Sequence, residues 1–213
     1  MKRLPLLLYL TASVAVADAQ SSFQAASRVM KNDQSAGAQL QLSTSVIQER
    51  YSEEAGAKLL RLTVKLNYSN IGSRPILLDK KSSMVYRKLV SRSLRDASKM
   101  NYVYDETSSF IDVRSMQVVG MQPDGSPEKE SFINLKPQES YSLKNELILR
   151  LYNGTSDTED FLRAGTHFLQ IKVATWYYFA DPELYRDKWS AEGYLWSQDV
   201  TSVPMPLTIK KSW

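Results

Sequence analysis

The sequence contains no cysteine and a single histidine, His167. Without cysteine the exported chain must be stable without disulfides, which favours a bacterial periplasm or exterior over a small cross-linked scaffold. One histidine without a thiol or second imidazole does not make a typical zinc site, and no serine or cysteine nucleophile site can be assembled around it. We therefore predict a non-enzymatic protein without a metal or a cofactor.

The chain also lacks a long apolar run after its first residues. Lys2 and Arg3 precede an apolar stretch from Leu4 to Val16, and Ala17-Asp18-Ala19 forms a small-x-small cleavage site. This order is typical of a secretory signal peptide, and the stretch is too short to span a bilayer. We expect export to the periplasm or the exterior, with cleavage near Ala19 and no membrane span.

Cleavage leaves residues 20–213, a length suited to one enlarged domain. We interpret residues 20–38, which are polar and rich in small side chains, as a flexible leader and residues 39–213 as the domain. Removing residues 1–19 lowers the formal charge from +4 to +3, because two basic residues and one acidic residue leave. So small an excess does not indicate a nucleic acid or an anionic membrane as partner.

Residues 135–179 show the clearest alternation of apolar and polar side chains. Such a period of two predicts half-buried strands. Tyr141, Leu143, Leu147, Leu149 and Leu151 share one face of the first strand, and His167, Leu169, Ile171 and Val173 share one face of the second.

The same alternation predicts strands from Gln39, over residues 58–70 and over Ser202–Lys210, with a polar turn at Arg50–Gly56. Pro204 and Pro206 remove two donors, so the last strand should pair along one side only. Residues 79–131 are less clear: we favour a strand over a helix for Met84–Val90. Short strands are expected at Asn101–Tyr104 and Met116–Val119. Asp181 and Pro182 begin a predicted short helix.

Two runs, RAGTHFL at residues 163–169 and GYLWSQDVTSVPMPLTI at residues 193–209, resemble immunoglobulin-like domains of secreted bacterial proteins. The first holds a glycine, then His167 two residues later, then a core leucine. The resemblance implies an all-β, immunoglobulin-like antiparallel β-sandwich with a short helix in a late inter-strand loop. It also implies that His167 replaces a corner tyrosine and hydrogen-bonds a neighbouring backbone carbonyl. The fold itself implies no function.

Two groups of charged residues could have either a functional role or a solvated surface role. Glu159 and Asp160 in one loop, and Asp181, Glu183 and Asp187 in another, could serve a carboxylate hydrolase or a calcium site, but solvated loop charges are the favoured interpretation. The basic residues between Lys80 and Lys99 form either an anion-binding face or the solvated outer face of a strand, and we favour the latter.

Aromatic side chains are concentrated near residues 176–196, which hold eight of the 22 in the chain. Exposed rings would suit stacking on a sugar or anchoring a partner protein, whereas buried rings would attach the helical insertion to the sheet. We favour burial. The candidate ligand-binding residues are Trp176, Tyr178, Tyr185, Trp189, Tyr194 and Trp196.

The sequence thus predicts a non-enzymatic exported binding or interaction module that contacts a protein or a glycan through the aromatic loop 176–198. Two alternatives stay open. One is a structural or assembly subunit that pairs through an edge strand. The other is a hydrolase that uses loop carboxylates, which no nucleophile elbow, metal set or phosphate loop supports.

Overall fold

Alternating side chains build two antiparallel sheets in the computed structural model of this chain. The structure describes residues 37–80, 85–109, 129–152, 162–176 and 181–210, all of which belong to one compact unit over residues 34–213. The predicted signal peptide, most of the predicted leader, the predicted strand Met116–Val119 and Tyr178 lie outside the described residues.

The first sheet has three strands in the order β1-β2-β7. They are β1 (Leu40–Glu54), β2 (Ala57–Asn70) and β7 (Ser140–Leu151). Leu62 of β2 lies opposite Leu147 of β7, so the leucines of neighbouring strands share one face. That face is buried, and each fully buried leucine contributes about 1.5–3 kcal/mol relative to an exposed one.

The second sheet has the order β10-β8-β4-β5, and β11 also pairs with β8. Its strands are β4 (Val85–Ser91), β5 (Tyr104–Ser109), β8 (Gly165–Val173), β10 (Val200–Thr201) and β11 (Met205–Ile209). The last two pair with successive parts of β8. In the described part of the chain β11 has no other strand partner. This is expected because Pro206 inside the strand and Pro204 before it have no amide hydrogen to donate.

One hydrophobic core joins the two sheets, since it contains leucines of β2 and β7 together with Leu169, Ile171 and Val173 of β8. The two long strands with the clearest alternation, β7 and β8, lie in different sheets. The predicted fold class, an all-β antiparallel sandwich, is confirmed.

A third, small sheet lies beside the sandwich in the order β6-β3-β9. It consists of β3 (Ile76–Asp79), β6 (Phe132–Leu135) and β9 (Tyr194–Leu195), and β3 pairs with β9 in parallel. The described residues also contain two short helices, α1 (Leu94–Ser98) and α2 (Glu183–Trp189), and a 3-10 turn at Lys129–Ser131. Helix α2 is the short helix that the sequence predicts in a late loop.

Several element boundaries differ from the sequence predictions. Strand β1 continues through the predicted polar turn to Glu54, because β2 supplies a partner for each residue there, and only Ala55 and Gly56 turn, both with positive φ. The strand predicted at Asn101–Tyr104 instead begins at Tyr104 and runs through the polar residues Asp105–Ser109. Pairing with β4 places these polar side chains at an edge, which period-two alternation alone does not reveal.

The predicted start of the late helix is shifted by one residue. Pro182 occupies the N-cap position, and the side chain of Asp181 accepts a hydrogen bond from the Glu183 amide at 3.0 Å. The described structure also starts before Gln39: Gly37 O accepts hydrogen bonds from the amides of Ser73 and Arg74, and Ala38 is buried in the core.

Candidate functional site

The aromatic segment of residues 176–198 follows β8 and includes α2 and β9. Three of the rings that the structure describes in this segment are buried. Trp189 joins Leu77, Phe132 and Leu195 in a small separate cluster, while Tyr194 and Trp196 belong to the main core. This arrangement attaches α2 to the small sheet.

The geometry of the buried rings indicates packing inside the protein. Trp189 meets Phe132 edge to face with ring centroids 5.7 Å apart, and Tyr194 meets Trp196 in the same way at 6.2 Å. The indole nitrogen of Trp196 donates to Gln198 O at 2.8 Å. Stacking a ligand on these three rings would therefore require local opening of the segment.

Trp176 and Tyr185 remain only half-buried. Both pack against the Trp189 cluster. The centroids of the Trp176 and Tyr185 rings lie 6.3 Å apart, and the two ring planes are tilted by 37°. These two are the described candidate residues that offer ring surface outside the core, and the buried cluster beneath them holds them in place. Helix α2 also exposes Leu184, at 72% of its possible surface, on its outer side.

A cavity of about 340 Å³ lies beside α2, lined by Arg74, Glu183, Arg186, Asp187, Ser190 and Tyr194 among others. Gly193 brings these side chains together. It has a φ of +159°, and a Cβ added there would lie 2.9 Å from Pro75 O. Only glycine lets β9 approach this closely, so that the amide of Tyr194 donates to Pro75 O at 2.8 Å.

Two guanidinium groups flank the ring of Tyr194 in this cavity. Arg186 Cζ lies 4.9 Å from the ring centroid and Arg74 Cζ lies 5.9 Å from it, both within the range of a cation–π contact. Arg186 is also ion-paired with Glu183 and donates to Ser197 Oγ at 3.3 Å. Burial raises the pKa of the Tyr194 phenol, while the two arginines oppose that shift.

His167 is buried at the start of β8. Its Nε2 lies 2.8 Å from the backbone oxygen of Arg163, to which it donates a hydrogen bond. Among the described residues, none forms a hydrogen bond with His167 Nδ1. The ring therefore closes the corner that leads into β8, and nothing described places a nucleophile against it.

The loop carboxylates do not form a metal-binding cluster in the described residues. Glu159 and Asp160 lie outside them, whereas Asp181, Glu183 and Asp187 are exposed on and before α2. No group of three potential metal ligands occurs in the described part of the chain. Glu183 is ion-paired with Arg186, and Asp181 accepts a hydrogen bond from the Glu183 amide.

A buried lysine forms a second polar centre that the sequence interpretation missed. Lys88 of β4 is 2% exposed, and its Nζ donates to Ile148 O of β7 at 2.6 Å. The same Nζ lies 2.9 Å from a Glu106 carboxylate oxygen, and the Tyr104 hydroxyl donates to that carboxylate. Lys88 thus spans the two sheets between a carboxylate and a backbone carbonyl.

Neighbouring side chains extend this contact along β7. The Tyr86 hydroxyl donates to Glu146 O at 3.1 Å, and the amide of Arg150 donates to the Tyr104 hydroxyl at 3.4 Å. Burial lowers the pKa of Lys88 and raises that of Tyr86 to about 12. Side chains of the second sheet therefore satisfy backbone groups along the edge of the first.

Spacing offered one signal for Lys88. It shares its parity with the apolar Tyr86 and Val90, a spacing that indicates an inward position, whereas the interpretation of a solvated basic run requires it outside. The inner position contradicts that interpretation for Lys88. For Arg87, which is partly exposed and ion-paired with Asp105, the outer position holds.

Comparison with known proteins gives little further information. No protein-family model matches the chain, and no curated protein matches it. One solved structure, the "X-ray structure of Northeast Structural Genomics Consortium target SoR45", aligns over 80% of this chain and 84% of its own with 9% sequence identity and a TM-score of 0.30. Among the described residues, no helix has the length and apolarity to cross a membrane.

Proposed function

We propose that this protein is a non-enzymatic exported module that binds a protein or a glycan through the segment 176–198. The observation that carries the proposal is the half-buried pair Trp176 and Tyr185, held 6.3 Å apart on a buried aromatic cluster. Rings fixed before binding lose little conformational freedom on contact, which favours affinity. Aromatic rings also supply the apolar faces that sugars and protein hot spots use.

A binding experiment with surface variants tests this proposal. The purified protein is titrated with a panel of soluble glycans and cell-wall fragments, and the variants Trp176→Ala and Tyr185→Ala are compared with the wild type. Tyr102→Ala is the matched control, because Tyr102 is also half-buried but lies between α1 and β5. We expect binding by the wild type and the control and weaker binding by both segment variants.

Leu184→Ser tests the same segment for a protein ligand, because this exposed leucine does not support the core. If no probe binds the wild type, or if all variants bind as the wild type does, the segment is not the binding surface. Trp189→Ala is unsuitable for this purpose, since it would remove a buried ring.

A second candidate function, assembly through an edge strand, is supported by β1. This strand lies at the edge of its sheet, and Val46 and Ile47 are exposed at an irregularity of its register. The exposed apolar pair offers a contact surface, whereas the irregularity and the charged residues that follow it hinder pairing beyond that point. Sedimentation at several concentrations tests this alternative, and a monomer at all of them would exclude it.

A further inference from the structure

The cavity beside α2 contains two opposite charges that have no ion-pair partner among the described residues. Arg74 and Asp187 both line it, but no ion pair joins them, and neither side chain makes an ion pair or a side-chain hydrogen bond with another described residue. The other two charges of the cavity, Glu183 and Arg186, neutralise each other directly. The cavity therefore presents one free positive group and one free negative group.

The protein holds the positive group in place. Arg74 precedes Pro75, whose backbone oxygen binds the amide of Tyr194, and its guanidinium lies over the Tyr194 ring. The Arg186 guanidinium lies within 4.9 Å of the same ring centroid. Two like charges beside one ring repel each other, and Glu183 is ion-paired with only one of them, Arg186. A carboxylate from outside would relieve this repulsion and accept hydrogen bonds from the planar Arg74 guanidinium.

Asp187 limits which anions fit. Its carboxylate would repel an inorganic phosphate or another group of several negative charges, whereas it would attract an ammonium group. The volume of about 340 Å³ is near the lower end of the range for small-molecule sites, about 300–1,000 Å³. The ligand is therefore small and carries both signs of charge.

We propose that this cavity binds a short zwitterionic peptide, with the peptide carboxylate on Arg74 and the peptide ammonium on Asp187. The inference goes beyond the proposed function, because it names a ligand class for a second face of the same helix. Since both contacts are open to solvent, binding should be weak, on the order of millimolar.

The test is a nuclear magnetic resonance titration of the purified protein with four probes: the dipeptide alanylalanine, its N-acetyl form, its C-terminal amide, and inorganic phosphate. We expect the free dipeptide to shift the amide resonances of Arg74, Asp187 and Tyr194. Blocking either end should weaken binding about threefold to fivefold, the effect of losing one exposed ion pair.

Two variants assign each end to its residue. Arg74→Gln should bind the free dipeptide and its amide equally, and Asp187→Asn should bind the free and N-acetyl forms equally. Lys188→Gln, on the same helix but outside the cavity lining, is the control and should behave as the wild type. Phosphate should bind more weakly than the dipeptide.

Other results overturn the inference. If the N-acetyl form binds the wild type as well as the free dipeptide, or if phosphate binds equally well, the cavity is an anion site only. If none of the four probes binds while the glycan or protein titration depends on Trp176 and Tyr185, the zwitterion site is wrong and the proposed function stands. If the dipeptide binds as expected but Trp176→Ala and Tyr185→Ala change no titration, the proposed ring surface is wrong.

Discussion

Replacing Lys88 by methionine should destabilise the protein strongly. Methionine keeps an unbranched apolar chain but removes the ammonium, which leaves Ile148 O without this donor and the Glu106 carboxylate with the Tyr104 hydroxyl but without its positive partner. Removing one partner of a buried ion pair costs about 3–5 kcal/mol. Glu106 is about one-third exposed, so water can solvate part of its charge, and we expect a loss near the lower limit, about 3 kcal/mol.

Urea unfolding followed by far-ultraviolet circular dichroism measures this loss. A lower midpoint with an unchanged slope would show a change in stability rather than in the unfolded state. In a thermal scan, a loss of about 3 kcal/mol corresponds to a fall in Tm of roughly 6–12 °C for a chain of this size.

A double-mutant cycle shows whether the pair itself is responsible. Lys88→Met combined with Glu106→Gln should cost less than the sum of the two single changes, because the second change no longer leaves a charge uncompensated. If Lys88→Met alone lowers the free energy of unfolding by less than about 1 kcal/mol, or if the two changes are simply additive, the buried Lys88–Glu106 ion pair does not stabilise the sandwich.

Three further changes test other parts of the structure. Burial raises the pKa of the Glu106 carboxyl, but hydrogen bonds from Tyr104 and Lys88 outweigh it and hold that pKa below the ordinary value of 4.5. The ionised carboxylate therefore contributes stability that is fully present above about pH 4.5 and is lost as the pH falls through its lower pKa in the folded state. In urea unfolding between about pH 7 and pH 3, Glu106→Gln should reduce the loss of unfolding free energy at acid pH. The same loss in the variant and the wild type would contradict the argument. Trp189→Ala removes a buried ring and should lower the free energy of unfolding by about 3–5 kcal/mol. The α2 amides should exchange hydrogen faster while the β2 amides stay protected. Equal loss of protection in α2 and β2 would contradict a separate cluster. Gly72→Ala places a Cβ against the backbone oxygen of Gly37 and should cost about 3 kcal/mol or more in thermal unfolding, because backbone atoms cannot move aside as a side chain can. At Gly56, with φ +78° and no atom nearby, alanine should cost only about 1–2 kcal/mol. An equal or smaller cost at Gly72 would contradict the close approach of residues 72 and 37.

Sequence periodicity predicts the strands of this fold where one face is apolar and the other polar. Leu60, Leu62 and Leu147, Leu149 reach the core as their spacing indicates. Residues 104–109 break the rule, because the inward positions after Tyr104 are the polar Glu106 and Ser108, so no apolar alternation marks the strand. The parallel pairing of β3 with β9 is also invisible to periodicity, since it joins segments that are distant in the chain.

The sequence marks the aromatic segment that carries the candidate site but does not give its geometry. The density of rings at residues 176–196 marks the segment, and buried rings are the favoured interpretation. Which rings stay near the surface depends on how Trp189 fits against Phe132, a contact across 57 residues that composition does not encode. The charged cavity depends on Gly193 approaching Pro75, and that approach brings Arg74 to the helix from a different part of the chain.

The β3–β9 pairing has a consequence for engineering. Because Tyr194 and Leu195 are anchored to Ile76 and Leu77, the end of the insertion is fixed independently of the outer residues of α2. Exposed positions such as Glu183, Leu184 and Asp187 can therefore be randomised in a library without disturbing the leucine layers of the sandwich. The molecule provides a disulfide-free scaffold on which new recognition surfaces can be selected.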